Sequence, residues 1–233
     1  MVKINWQYVL GFLSLNMVLG ELHEQAHIQT GYAICGCYGE RNMSVWTTCE
    51  SCLHPSYAIW ATVAGPLFSY GIYWTAAFVL RRHKMETCRS FALAILFASL
   101  PFARIFTAFM GGGDEKIVLL HLFGNPSSQL PAKLLAVMVT LVFCLPPLIM
   151  GIRQLPHTNR AVYAAGFIIG PLLFGMVWQR FFLNSLLAKG LGTTQVMAGT
   201  PLLVVIHFIA MLLILFFFGK SLSVRKSAGR IYN

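Results

Sequence analysis

The chain has 233 residues, of which 57% are hydrophobic and only 10% charged, and its formal net charge is +10. A soluble domain carries about 25% charged residues, and a single domain of this length has no means of hiding so much apolar surface from water. The composition excludes an ordinary soluble globule and predicts an all-α, polytopic integral membrane protein, one domain over 1–233 in a lipid bilayer; the basic residues cluster at the ends of apolar stretches, which argues against a nucleic-acid partner.

A spanning helix needs about 20 mostly apolar residues. Six such stretches follow in chain order, at about 4–22, 56–80, 90–110, 130–152, 161–182 and 201–222. Each must be helical, because lipid leaves no partner for an unpaired backbone N–H or C=O. The first contains Asn5, Gln7, Asn16 and Glu21 and lacks a small-residue cleavage site, so it reads as an interior helix and not as a signal peptide. Pro101, Pro146 and Pro147 predict kinks. Lysine and arginine placement orients the spans. Arg81, Arg82, Lys84 and Arg89, the pair Arg153 and Arg160, and the tail with Lys220, Arg225, Lys226 and Arg230 fall on one side if there are six spans. That side is cytoplasmic by the positive-inside rule, with both termini on it.

A loop at 28–55 then lies on the other, non-cytoplasmic side and holds four of the six cysteines, Cys35, Cys37, Cys49 and Cys52. Disulfides persist there, and a nested pairing of Cys35 with Cys52 and Cys37 with Cys49 is one of three connectivities. Two close cysteine pairs also suit a tetrahedral zinc knuckle, and free thiols are the third state.

The chemistry concentrates in Glu21-Leu22-His23-Glu24-Gln25-Ala26-His27. On a helix His23 and His27 share one face, the spacing at which two imidazoles bind one Zn²⁺ while the intervening Glu24 serves as general base toward water. Four ionisable groups at the end of an apolar helix are costly near a membrane unless they function. A catalytic zinc usually takes three protein ligands. The chain's one aspartate, Asp114, follows Gly111-Gly112-Gly113 at the end of the third stretch, at the same depth and on the same side as the histidines. His121, seven residues on, is an alternative ligand, and Glu115 a weaker one. Arg104, inside the third stretch, must face the bundle or snorkel, with Glu21 or a substrate carbonyl as its partner. His207 reads as a satisfied interior histidine.

These residues resemble the site-2 protease family of intramembrane zinc metalloproteases. The resemblance rests on His23-Glu24-Gln25-Ala26-His27, on Ala64-Gly65-Pro66-Leu67-Phe68-Ser69 in the next span, and on an aspartate two helices after the motif; it covers roughly residues 15–115. It implies His23, His27 and Asp114 as zinc ligands, Glu24 as base, and Gly65 and Pro66 as structural or substrate-facing residues. This chain departs from the family in placing Asn125-Pro126 after the aspartate, in its cysteine loop, and in a site that the charge pattern places on the non-cytoplasmic side. The expected activity is a zinc-dependent membrane metallohydrolase, an endopeptidase acting on a membrane-embedded or membrane-proximal protein substrate. The same residues would serve a membrane hydrolase of lipid amides or esters, and without a working Glu24 they would serve a metal transporter or sensor. Ile168-Ile169-Gly170-Pro171 in the fifth stretch echoes the Gly-Pro of the second, as inverted repeats of transporters do.

Overall fold

The computed structural model describes residues 4–124 and 128–223; Lys3, Asn125-Pro126 and the basic residues Arg225, Lys226 and Arg230 lie outside the described residues. Within them the chain is all-α apart from one two-stranded ribbon, β1 (Gln195–Met197) with β2 (Thr200–Pro201). Five helical stretches are long and apolar enough to cross a membrane: Pro55–Arg82, Glu86–Phe109, Gln129–Gln154, His157–Ala188 and Leu202–Leu222. They expose large apolar side chains such as Leu67, Met138, Val162, Phe216 and Phe217, a surface consistent with a membrane environment.

The first stretch is the exception among the six expected. It is a helix, α1 (Trp6–Cys35), opened by an Asn5 side chain that accepts from the Tyr8 amide and closed by Gly36 in the left-handed conformation. At 30 residues it is long enough, but Gln7, Asn16, Glu21, His23, Glu24, Gln25 and His27 remove it from the strongly apolar set. Its packing explains most of this composition: α1 lies against α2 (Ile59–Arg82), α3 (Glu86–Ala98), α7 (Arg160–Gly175) and α9 (Leu202–Phe218), and of its polar groups Asn16 and His27 are buried and Glu21, His23, Glu24 and Gln25 partly so, with Gln7 exposed. The helix also continues past the expected boundary at residue 28, and the cysteine loop begins only after Cys35.

The third stretch is broken. Between α3 and α4 (Pro101–Phe109), Leu100 sits at φ 60°, ψ 50°, a left-handed conformation that costs a branched residue on the order of 1–3 kcal/mol. The freed carbonyls find side chains: Asn16 Nδ2 donates to Ala98 O at 2.6 Å and Tyr73 Oη to Ser99 O at 3.0 Å. A polar residue of α1 thus satisfies a break in its neighbour. Pro101 opens α4 instead of bending one helix, whereas α6 (Gln129–Gln154) runs through Pro146 and Pro147 without interruption. The fifth stretch leaves α-helical geometry for a π-helical one over Met176–Leu183 and ends in α8 (Asn184–Ala188).

Alternation of the helices brings the basic loops to one end of the bundle, where Arg89 Nη2 donates to Gln154 Oε1 at 2.5 Å. The other end carries the cysteine loop. Its thiols are paired Cys35–Cys52 and Cys37–Cys49, the nested connectivity, so neither a zinc knuckle nor free thiols describes it. Met43 packs the loop onto Leu183 and Val204, and its amide donates to Asn184 Oδ1 at 3.1 Å.

Candidate metal centre

Two helices set the histidines. α1 presents His23 and His27 one turn apart, and the antiparallel α2 answers with Ala61, Gly65 and Ser69, also four apart. Small residues at this spacing let two backbones approach closely. His27 Nδ1 lies 2.7 Å from Ala61 O, and His23 Nδ1 lies 2.9 Å from Ser69 Oγ. A carbonyl only accepts, so His27 Nδ1 carries its proton there and Nε2 is turned inward as the ring's free ligand atom. Gly65 is required by this approach: a Cβ at that position would lie 2.1 Å from His27 Nε2 and 2.7 Å from His23 Cε1. Pro66, buried beside it, supplies no N–H, so α2 lacks one intrahelical hydrogen bond at this level.

The third side chain arrives from α5 (Asp114–Phe123). After α4 the chain reverses through Gly111 at φ 81° and Gly113 at φ 95°, conformations that glycine adopts without steric cost, and Asp114 opens the next helix. The structure brings His23, His27 and Asp114 together as a group able to hold a metal ion, their ligand atoms within 4.8 Å of one another. The two Nε2 atoms are 3.1 Å apart, and Asp114 Oδ2 is 3.6 Å from each. Ligand atoms about 2.0–2.2 Å from a tetrahedral ion stand roughly 3.3–3.5 Å apart, so the triangle has the dimensions of one face of such a shell. Two imidazole nitrogens and a carboxylate oxygen form a donor set suited to zinc, and the partners of both Nδ1 atoms supply the outer hydrogen bonds that orient metal-binding histidines.

Of the alternative ligands, His121 is exposed and two turns along α5 from Asp114, outside the group. Glu115 is buried but points elsewhere: it accepts from the Tyr70 hydroxyl and from Arg104 Nε and Nη2 at 3.2 and 2.8 Å. Arg104 therefore pairs with Glu115, and through Nη2 with Asp114 Oδ2 at 3.1 Å, and not with Glu21. Arg104 and Glu115 are eleven positions apart, but the glycine turn brings the start of α5 back to Arg104 while α5 itself packs against α2 and α6. Glu21 is held by Arg41 of the cysteine loop in a two-pronged ion pair at 2.7 and 2.9 Å. Burial opposes ionisation of Asp114, but its contacts with His23 and His27 and the charge of Arg104 hold its carboxyl well below the usual carboxylate range.

Glu24 is half-buried on α1, within electrostatic range of His23, His27, Arg41 and Asp114, and no protein hydrogen bond to its carboxylate occurs among the described residues. Trp46 was not legible as a site residue. It reaches from the disulfide loop to stack on His27, ring centroids 5.0 Å apart at 23°, and covers the centre from the loop side. Tyr70, Ser69 and Arg41 were missed as well. The four-residue spacing of Ala61, Gly65 and Ser69 was the one available signal, since it matches that of the histidines. His207 is buried as expected of an interior residue, but its Nε2 has no protein partner among the described residues. The two Gly-Pro segments are not equivalent: Gly65 is packed against both imidazoles, whereas a Cβ at Gly170 would meet nothing within 4 Å.

Comparison of the chain with protein-family models, curated proteins and solved structures finds no match.

Proposed function

We propose that the protein is a six-span integral membrane zinc hydrolase that cleaves a peptide bond in or beside the bilayer, with both termini cytoplasmic and the metal centre near the opposite surface. Kinship with the site-2 proteases is part of this proposal and rests on the motif residues. The observation that carries the reading is the triangle of two imidazole nitrogens and one carboxylate oxygen, with a half-buried glutamate on the same helix and unengaged by protein hydrogen bonds. Zinc bound there would polarise the scissile carbonyl and acidify a water.

The chain's own residues do the rest. His23, His27 and Asp114 hold the ion, oriented by Ser69, Ala61 and Arg104. Glu24 takes the proton of the attacking water on its carboxylate and returns it to the leaving nitrogen. Trp46 and the stapled loop limit access from one side, and the polar face of α1 gives water a protein-lined path to the centre.

The test is a pair of measurements on purified protein. Chelator-washed and zinc-reloaded protein is expected to retain about one zinc per chain, and Glu24→Gln to keep that zinc while turnover of a transmembrane peptide falls about 10²–10⁴-fold. Absence of metal refutes the centre. Retained zinc without turnover in the wild type refutes hydrolysis and leaves a binding or transport site, and undiminished turnover in Glu24→Gln removes Glu24 as the base.

A further inference from the structure

Beside the metal centre, among α1, α2 and the break between α3 and α4, lies a cavity of about 160 Å³ that His23 and Arg104 both line. This is about half the lower bound of roughly 300 Å³ for pockets that take whole small molecules, so it has room for one side chain. Leu19, Phe68, Ile72 and Ala103 make its walls apolar.

Two of its lining residues keep a polar atom without a protein partner among the described residues. Asn16 is 5% exposed, and its Nδ2 is committed to Ala98 O, which turns Oδ1 away from that contact; Oδ1 has no partner among the described residues. A buried acceptor left unpaired costs roughly 1–3 kcal/mol. Asn16 lies seven residues before His23 on α1, about 10 Å along the axis at 1.5 Å per residue. At the other end Arg104 uses Nε and Nη2 on Glu115 and Asp114, and its Nη1 has no protein acceptor among the described residues. The cavity therefore has a guanidinium near the metal ligands and an apolar shaft beyond it, while Asn16 Oδ1 is closed off from that space.

We propose that this cavity is the substrate pocket beside the scissile bond, taking one largely apolar side chain, of which phenylalanine is the natural example. Arg104 Nη1 donates to the neighbouring backbone carbonyl, and the side chain fills the shaft. The broken third helix is then the device that shapes the pocket: a continuous helix would leave neither the space nor the constraint that fixes the Asn16 amide. The inference rests on the hydrolase reading for its substrate class, and the pocket is tested by binding, apart from turnover.

Gly20 provides the blocking variant. It lines the cavity, and a Cβ there would meet nothing within 4 Å, so Gly20→Leu extends into the open shaft without a backbone clash. Binding is read by fluorescence anisotropy in micelles on the Glu24→Gln protein, with labelled transmembrane peptides identical except for Tyr, Phe or Ala at one position. The expected order is Phe, then Tyr, then Ala, with Phe over Ala by about tenfold or more, the scale of a hydrophobic pocket's discrimination. Gly20→Leu is expected to bring the three within about threefold while zinc content is unchanged. Equal binding of the three peptides by the unblocked protein, or no binding at all, overturns the pocket whether or not Gly20→Leu folds. So does an unchanged preference in Gly20→Leu. Peptide preference without any turnover by the zinc-loaded wild-type protein would instead sink the hydrolase reading and leave the pocket standing.

Discussion

Adding one methyl group at Gly65 should separate metal binding from folding. The new Cβ would stand 2.1 Å from His27 Nε2 and 2.5 Å from its Cε1, where ordinary contact begins near 3.4 Å. His27 Nε2 must therefore retreat by about 1.3 Å. The ring cannot do this freely, because Nδ1 is tied to Ala61 O at 2.7 Å and Trp46 covers one face. Metal–ligand distances tolerate about 0.2 Å, so Gly65→Ala removes His27 from the shell, and His23, whose Cε1 lies 2.7 Å from the same Cβ, is displaced with it. Loss of outer-shell partners alone typically costs 10–100-fold in metal affinity, and displacement of a ligand is expected to cost at least 100-fold, about 2.7 kcal/mol. The same substitution at Gly71, also in α2 but with nothing within 4 Å of its Cβ, should leave affinity unchanged and stabilise the helix by up to about 1 kcal/mol. Competition titration against a chromophoric chelator measures affinity, and thermal melts of both metal-free variants monitor the fold. Wild-type zinc affinity in Gly65→Ala would refute the site geometry. A metal-free Gly65→Ala protein that melts far below Gly71→Ala would mean that packing, and not ligation, is what Gly65 serves.

Asp114→Asn is expected to lower zinc affinity by tenfold or more, since a neutral amide oxygen is a poor zinc ligand, whereas His121→Ala, changed at an exposed position, should bind zinc as the parent does; the same titration ranks them, and the reverse order would exchange the ligand. Thiol labelling of intact cells or oriented vesicles should modify Cys35, Cys37, Cys49 and Cys52 only after reduction and only from the non-cytoplasmic side, and labelling from the cytoplasmic side would invert the proposed topology.

Elements whose character is local were legible in the sequence. Uninterrupted apolar runs located the five strongly hydrophobic stretches, and four-residue spacing put His23 and His27 on one face. The end of α1 was not legible, because Gln29 and Thr30 look like a loop, whereas in the helix Gln29 Nε2 donates to Gln25 Oε1 and Gln25 Nε2 to Glu21 Oε1, one turn apart each. Nor was the break at Leu100: Pro101 marked a bend, but the partners that stabilise a true interruption, Asn16 and Tyr73, lie 82 and 26 residues from the carbonyls they serve. Arg104 had two readable acidic candidates close behind it, yet which carboxylate it meets depends on how the glycine turn aims α5. The disulfide pairing required the loop's path. Trp46 shows the limit most clearly, since a tryptophan in a polar loop carries no mark of the imidazole it will cover.

With every carboxylate ionised, the side chains of the proposed centre would carry more negative than positive charge. Glu24, Asp114 and Glu115 bring three carboxylates, and Arg104 brings one guanidinium to two of them. Glu21 and Arg41 neutralise each other alongside and contribute nothing to the difference. Two negative charges then remain around a pair of imidazoles whose Nε2 atoms lie 3.1 Å apart. A ring proton on one of these nitrogens closes the gap as a hydrogen bond, as a metal ion held by both would, and unpaired carboxylates at the edge of a membrane are costly. Added protons would restore neutrality, but on the nitrogens and the carboxylate that the proposed chemistry uses. A single divalent cation would restore it in one place and leave Glu24 free to accept a proton. The arrangement of Arg104 supports this division: by neutralising Glu115 and touching only one oxygen of Asp114, it holds the aspartate in position while leaving it enough negative charge to serve as a ligand.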